Sequence, residues 1–241
     1  MRDPEETSEK NTISIVIPAL NEEDYIADLV HALKERAVND SLIREIIVAD
    51  GGSTDMTRQN AKNAGAVVVE CQKKGRAIQM NEGAKVAGGQ ILYFLHADTF
   101  PPVGYDKQIF SAIRNGSGAG CFQLRFSNAH PILRLYAWFT KFRITLVRFG
   151  DQSLFVKARI FFEAGGFDEN LAVMEDQKIV SDLKKLTSFK LLDEAVTTSA
   201  RRYEKNGVIR LQLIFGMIII LYYFGAKQDT LVHLYNSLIK L

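Results

Sequence analysis

The run ILYFL at 91–95 leads straight into His96-Ala97-Asp98-Thr99, setting a carboxylate just beyond a stretch with the composition of a β-strand. A hard divalent cation prefers carboxylate oxygen and, bridging two phosphates, neutralises the charge that grows on a departing diphosphate. One aspartate does not make a metal site, so the remaining oxygens would come from phosphates and water. A second carboxylate, Asp50, follows EIIVA at 45–49 and opens DGGSTD, where the glycine pair lets backbone approach a ligand. Asp50 can accept hydrogen bonds from a base N–H or from ribose hydroxyls. The same stretch also reads as an Asp/Gly turn with Ser53 or Asp55 capping the next helix. Lys74-Gly75-Arg76 stands at a helix start, where two cations and free N–H groups can face a diphosphate. Alone, such a triplet is ordinary in a solvated turn. Asp176, in Met174-Glu175-Asp176, begins another helix pattern, and a carboxylate there, in a cleft, suits a general base for a sugar hydroxyl. The blander reading, favoured without other evidence, is that Glu175 and Asp176 only stabilise the helix N-terminus.

The elements that must position these residues repeat a rhythm of β-branched run, turn and amphipathic helix, the pattern of βαβ units. Ile13 to Ile17 is near-continuously apolar, as in a strand covered on both faces, and ends at Pro18. Asn21 is expected to cap a helix whose first turn carries Glu22, Glu23 and Asp24, with Ile26, Leu29, Val30 and Leu33 as its apolar stripe. Strands are expected at 45–49, 66–70 and 91–95, and helices at 56–64 and 76–87, the latter closed by Gly88 and Gly89. The fold class is therefore α/β with a mostly parallel central sheet flanked by helices. Ligands of such sheets sit beyond the carboxyl ends of the strands, where Pro18 to Glu22, Asp50 to Asp55 and His96 to Thr99 converge.

After residue 100 the rhythm changes. Gly116, Gly118 and Gly120 precede a strand expected at 121–126, and a long basic-aromatic helix is expected at 131–147. Gly150-Asp151-Gln152 precedes a short strand, and a helix pattern runs over 177–186. LQLIFGMIIILYYF at 211–224 is almost wholly apolar but falls short of the roughly twenty residues that span a bilayer, predicting a buried or membrane-lying helix. No repeat or Pro-rich linker divides the chain, so 12–241 reads as one domain behind a frayed, charged tail at 1–11 that lacks the apolar run of a secretory signal.

The chain has 241 residues, 47% of them hydrophobic, with 30 Lys and Arg against 28 Asp and Glu. A near-balanced charge carries no polyanion-binding field, which argues against nucleic acid as a partner. Cys71 and Cys121, in apolar contexts without a CxxC or Cys/His cluster, read as two buried reduced thiols of a cytoplasmic protein. No GxGxxG follows a strand and no GxxxxGK[ST] occurs, so neither a dinucleotide fold nor a P-loop is indicated.

Eight segments in order carry a resemblance: IVIPALNEE (15–23), VADGGSTD (48–55), KGRAIQMNEGA (74–84), FLHADT (94–99), GDQ (150–152), GGFDE (165–169), MED (174–176) and SARRYEKNG (199–207). Together they resemble the inverting family-2 glycosyltransferases of GT-A fold, a Rossmann-like nucleotide-diphospho-sugar transferase architecture. The match is closest to a small bacterial subgroup with KGRAxQMNxGA and LHADT segments. The resemblance implies a lobe for the nucleotide sugar over 12–100, an acceptor and catalytic lobe over 101–207 and an apolar helical segment over 208–241. By position it implies that Pro18, Glu22 and Asp50 meet the donor's base and ribose, that Lys74 and Arg76 are donor-side cations, and that Asp98 is the metal ligand of a DxD motif. Asp176 matches the catalytic base, and Arg201 and Arg202 the basic motif that holds the diphosphate. Asp151, Gln152 and Glu175 are acceptor-side candidates. His96 departs from the first aspartate of DxD; it could bond ribose, ligate the metal, or simply satisfy backbone. Arg201-Arg202-Tyr203 departs from the QxxRW of larger relatives.

The expected reaction is a single inverting displacement from a nucleoside-diphosphate sugar, UDP preferred, aided by Mn²⁺ or Mg²⁺. The helix expected at 131–147 interleaves Arg134, Lys141 and Arg143 with Tyr136, Trp138, Phe139 and Phe142. It therefore reads either as an interface for anionic lipid on the inner face of the membrane or as a packing helix with a dimer contact. The acceptor is accordingly a saccharide or a lipid-linked hydroxyl. Two rival readings stand beside this one: a sugar nucleotidyltransferase, whose GxGTR loop is replaced here by PALNEE, and a non-catalytic binder of nucleotide sugar.

Overall fold

The computed structural model describes residues 12–142 and 150–239. The first four expected strands, β1 (Ile13–Ala19), β2 (Ile43–Asp50), β3 (Val67–Glu70) and β4 (Ile91–Phe94), pair in parallel. Four more extend the same sheet: β5 (Thr99–Phe100), β6 (Ala119–Phe126), β7 (Leu154–Lys157) and β8 (Phe189–Thr198), in the order β3-β2-β1-β4-β7-β6-β8-β5. β7 runs antiparallel to β4 and β6, β8 runs parallel to β6, and β5 runs antiparallel to β8. Register sets Ala19 beside Asp50 and Val16 beside Phe94, so the carboxyl ends of β1, β2 and β4 finish at one edge.

The helices cover both faces. α1 (Ile26–Arg36), α2 (Thr57–Asn63), α4 (Tyr105–Arg114), α8 (Arg201–Asn206) and α9 (Val208–Tyr223) share one core. α3 (Arg76–Val86), α6 (Ala158–Glu163) and α7 (Glu175–Leu186) share the other. The two-residue period of a strand divides the apolar residues between them: Ile13, Ile15 and Ile17 of β1 join the first core and Val16 the second. The chain ends with α10 (Gln228–Leu238), packed on α9. Gly83 of α3 lies so close to β1 that a Cβ there would collide with Val16, which pins the helix carrying Arg76 to the strand carrying Pro18.

Several expectations change. β1 continues through Pro18 to Ala19. α1 starts at Ile26 rather than after Asn21, whose backbone is left-handed at φ 54° while its Oδ1 accepts from the Thr54 N–H at 2.9 Å. Residues 22–25 instead form a turn that frees Glu22 for the sheet edge. The basic-aromatic helix, α5 (Pro131–Phe139), closes earlier than expected; Thr140, its C-cap, donates its hydroxyl to the Ala137 carbonyl at 2.6 Å and accepts from the Leu124 N–H at 3.2 Å. Residues 143–147 of that expectation, Arg143 among them, and the tail at 1–11 lie outside the described residues. Cys121 is buried, but Cys71 is only half-buried, its thiol pushed up to about 11 by burial and by the charges of Glu82 and Asp50. No described helix is long and apolar enough to cross a membrane; α9 buries Leu211, Ile214 and Ile218 and turns Ile209, Leu213 and Ile220 outward.

Candidate active site

At the edge formed by β1 and β2, two loops interlock. Ser53 Oγ accepts from the Asn21 N–H at 3.0 Å, and Thr57 Oγ1 accepts from the Glu22 N–H at 2.8 Å. Asp55 Oδ1 accepts from the Thr57 N–H at 3.0 Å and Oδ2 from the Glu23 N–H at 3.3 Å. Burial pushes the Asp55 pKa up, but the Thr57 and Glu23 hydrogen bonds outweigh it and hold the carboxyl below its ordinary value. Asp55 is thus the structural member of DGGSTD. Asp50 is buried and bends the turn that follows it, accepting from the N–H groups of Gly52 and Ser53, both at 3.1 Å. Arg58 Nε stands 3.8 Å from the same carboxylate. Gly52, at φ 91°, takes a conformation that glycine adopts freely, and the Lys74 side chain passes over it.

Beyond β4, Asp98 meets Arg201 from the first turn of α8. Arg201 Nη2 lies 3.1 Å from Asp98 Oδ2 and 2.7 Å from Glu22 Oε1, and its guanidinium sits 4.6 Å over the Tyr25 ring. The second oxygen of Glu22 is buried and has no hydrogen-bond partner among the described residues. This places a cation between two carboxylates that are 76 positions apart in sequence (98 less 22). The Ser199 N–H donating to the Asp98 carbonyl at 3.0 Å, and the Thr99 to Thr198 hydroxyl bond at 2.9 Å, fix the end of β8 against Asp98 and so aim Arg201.

On the other side of His96, the residues of the second half assemble. His96 Nδ1 lies 3.2 Å from Asp151 Oδ1. Burial pushes the Asp151 carboxyl up, but the His96 hydrogen bond and the charges of His96, Arg202 and Arg76 outweigh it and set the group at about 2. Arg76 Nη1 pairs with the buried Glu175 at 3.1 Å, and Arg202 Nη1 donates to the Tyr235 hydroxyl at 3.0 Å. Asp176, second residue of α7, accepts from the Gln177 N–H at 2.7 Å. A small cavity of about 30 Å³ is lined by His96, Arg76 and Asp176. A larger one, of about 260 Å³, is lined by Asp151, Asp176, Arg76, Arg202 and the C-terminal helices.

The structure therefore brings Glu22, Asp98 and Arg201 together at one edge and His96, Asp151, Arg76, Glu175, Asp176 and Arg202 together beside it, with Pro18 half-buried at the end of β1. Arg201 and Arg202, expected to share one ligand, diverge. Gln152 turns inward, donating to the Phe122 carbonyl at 3.2 Å while buried, and Glu175, likewise buried, pairs with Arg76 and lines both cavities. Residues that sequence reasoning missed include Gln79, whose Nε2 donates to the Ala19 and Ala49 carbonyls at 2.7 and 2.9 Å and so ties the ends of β1 and β2. Tyr25 and Tyr235 were missed as well; as isolated aromatics in helical stretches they carry no pattern that marks them.

Among the described residues no group of three or more His, Cys, Asp and Glu forms a ready metal cage. The fit to a divalent cation rests on Asp98 and on the orphaned Glu22 oxygen beside it, hard oxygen donors already flanking a positive charge.

Residues 14–167 match the family described as glycosyl transferase family 2. A glucosyl-3-phosphoglycerate synthase of Mycolicibacterium paratuberculosis is 37% identical over 101 residues, covering 38% of this chain and 30% of the relative. The glycosyltransferase AglE of Haloferax volcanii is 26% identical over 148 residues, 57% of this chain and 48% of the relative. The matched region thus spans less than half the length of these curated relatives. Among solved structures, the mannosyltransferase PcManGT of Pyrobaculum calidifontis, in complex with GDP-Man and Mn²⁺, superposes with a TM-score of 0.70 at 16% identity. That likeness covers 95% of this chain and 70% of the other. Glucosyl-3-phosphoglycerate synthase from Mycobacterium tuberculosis, in complex with Mn²⁺, UDP and glucosyl-3-phosphoglycerate, superposes with a TM-score of 0.61 at 19% identity, covering 90% and 81%. At these identities the structural likeness establishes the shared GT-A fold.

Proposed function

This chain belongs to glycosyl transferase family 2, and on that premise we propose that it moves a sugar from a nucleoside-diphosphate donor to an acceptor hydroxyl with inversion at the sugar carbon. The observation that carries this reading is that Asp176 and His96 line one cavity while Asp98, two residues beyond His96, stands at the adjoining edge with Glu22 and Arg201. A carboxylate of the second half is thereby set beside a charged strand edge of the first. UDP is the preferred donor nucleotide, as structural relatives are described in complex with UDP-GlcNAc and with UDP, with GDP, whose mannose derivative occupies another, as the alternative.

In this reading Pro18, Glu22 and Asp50 face the base and ribose, and Lys74 and Arg201 face the diphosphate. Asp98 would hold a divalent cation at the edge where Arg201 also meets Glu22. Such a cation, when bound, neutralises charge on the leaving diphosphate. Asp176 takes the acceptor proton as the acceptor oxygen bonds to C1 and the bond from C1 to the diphosphate breaks. Arg76, held by Glu175, keeps positive charge in the cavity that Asp176 lines.

The test is calorimetric titration with UDP, GDP and CDP, with and without Mn²⁺, on the wild type, Asp98→Ala and Asp176→Asn. Metal-dependent binding of one nucleotide, lost in Asp98→Ala and kept in Asp176→Asn, is expected. A folded protein that binds none of them overturns the donor site. Binding with neither transfer nor donor hydrolysis by the wild type would favour a non-catalytic sugar-nucleotide binder.

A further inference from the structure

The cavity of about 260 Å³ beside Asp176 has two kinds of wall. Asp151, Asp176 and Arg202 supply charge, while Phe215 and Ile219 of α9 and Val232 of α10 supply apolar surface. Tyr235 and Asn236 of α10 offer a saccharide hydrogen bonds at one margin, but the Phe215, Ile219 and Val232 surface offers it none, whereas an alkyl chain gains by leaving water there. The wall is held to the catalytic helix by the Tyr223 hydroxyl, which donates to Gln177 Oε1 at 3.0 Å.

The same helix α9 turns a second apolar face outward. Ile209, Leu213 and Ile220 are 61%, 69% and 58% exposed, and Phe224 just beyond is 87% exposed. Those positions fall on one stripe of a 3.6-residue helix. Neighbouring α5 exposes Trp138 and Phe139. Across 129–142 and 204–229 the chain carries Arg134, Lys141, Lys205, Arg210 and Lys227 against Glu204 and Asp229, a cationic excess although its overall charge is nearly balanced at 30 against 28. Apolar and aromatic side chains flanked by an excess of cations, with Asp193 and Glu194 on the far side of the groove that Arg134 and Lys141 share, are complementary to an anionic lipid surface. α9 has 16 residues. At ~1.5 Å per residue that falls short of the ~30 Å bilayer core, so its geometry suits lying in the interface.

We propose that the outer face of α9 docks on an anionic bilayer and that the acceptor is a lipid of that bilayer, its chain against α9 and α10 and its hydroxyl at Asp176. The hydroxyl's role rests on the transferase reading above; the docking does not. The lipid hydroxyl gives its proton to Asp176, its oxygen bonds to the sugar C1, and the nucleoside diphosphate leaves with the electrons of the broken bond.

The experiment uses the full chain with vesicles of phosphatidylglycerol and phosphatidylcholine, and with phosphatidylcholine alone. Trp138 is the single tryptophan, so its emission reports on this region without interference. Sedimentation with the anionic vesicles and a blue shift are expected. Leu213→Asp/Ile220→Asp should lower the bound fraction at least several-fold while retaining UDP binding, which shows that the variant is folded. No sedimentation of wild type, equal binding to neutral vesicles, or full binding by the double variant overturns the docking surface. For the cavity, dodecyl maltoside below its micelle concentration is compared with maltose by calorimetry. Binding of the tailed compound alone, lost in Ile219→Asp, is expected; binding of neither, or of maltose equally well, overturns the lipid acceptor. Nucleotide binding without vesicle or dodecyl maltoside binding would leave the transferase standing and remove only this inference, and the reverse pattern would do the opposite.

Discussion

Arg201 Nη2 lies 3.1 Å from Asp98 Oδ2, so the carboxylate assigned to a divalent cation already has a guanidinium as its counter-ion, shared with Glu22 at 2.7 Å. A fixed positive charge that close competes with a metal for the same oxygen. Once a diphosphate is present, the guanidinium gains a second anionic partner and the metal gains further oxygens, so the two cations stop competing.

Arg201→Gln should therefore shift two affinities in opposite directions. Mn²⁺ binding to the free protein strengthens several-fold, and UDP binding in the presence of Mn²⁺ weakens by about tenfold or more, in line with the loss of a charge-assisted hydrogen bond. Calorimetry on both ligands measures this. An unchanged Mn²⁺ affinity would show that Asp98 is not the metal's ligand.

Asp176→Asn keeps the size of the side chain and removes the base. We expect transfer to fall by about 10²–10⁴-fold with the donor dissociation constant unchanged, as for loss of a positioned general base. Comparable losses in donor binding and turnover would assign Asp176 to the helix N-terminus and not to chemistry.

Gln79 supports the donor edge without facing it. Gln79→Ala removes the buried side-chain donor from the Ala49 carbonyl and from the Ala19 carbonyl, which keeps the Gly51 N–H at 2.9 Å, at a cost of about 1–3 kcal/mol that urea unfolding would register. Gly51→Ala acts on the same contact, since its Cβ would stand 2.8 Å from Gln79 Nε2. Both variants should also weaken nucleotide binding, because the loops at 19–23 and 50–53 lose their common tie; a stability loss with unaltered UDP affinity would separate the tie from the site.

Asp151 sets a pH dependence of known sign. Its folded pKa, about 2, lies below the ordinary 3.8, so its contribution to stability is complete above that ordinary value and disappears as pH falls toward 2. Asp151→Asn should therefore make thermal stability fall less steeply than wild type between about pH 4 and pH 2. Parallel slopes in scanning calorimetry would mean that the His96 contact does not stabilise the folded carboxylate.

Much of this was legible in the residues. The near-continuous apolar runs of β1, β2 and β4 predict strands covered on both faces of a parallel sheet, and the polar clusters at 18–22, 50–55 and 96–99 do collect at their carboxyl ends. The Asp/Gly turn reading of 50–55 also has its counterpart, with Asp50 and Asp55 both bonded to backbone. Less was legible where a residue's partner is remote. Asn21 has the composition of a helix cap, but its Oδ1 is taken by Thr54, and the helix starts five residues later, at Ile26. Pro131 to Val147 has helical composition, yet α5 closes at Phe139 and the described residues that follow it, 140–142, form a turn.

The sequence by itself determined the α/β order of elements, the strand ends at which the polar clusters gather and the family to which the chain belongs, because these rest on local periodicity and on residue types at short spacing. Tertiary structure alone decided that Arg201 faces Asp98 and Glu22 while its neighbour Arg202 faces Tyr235, that His96 meets Asp151, and that one face of α9 is left uncovered. Successive residues of a helix point about 100° apart. Where each direction leads therefore depends on which distant segments the sheet and its crossovers bring alongside, and no local pattern encodes that.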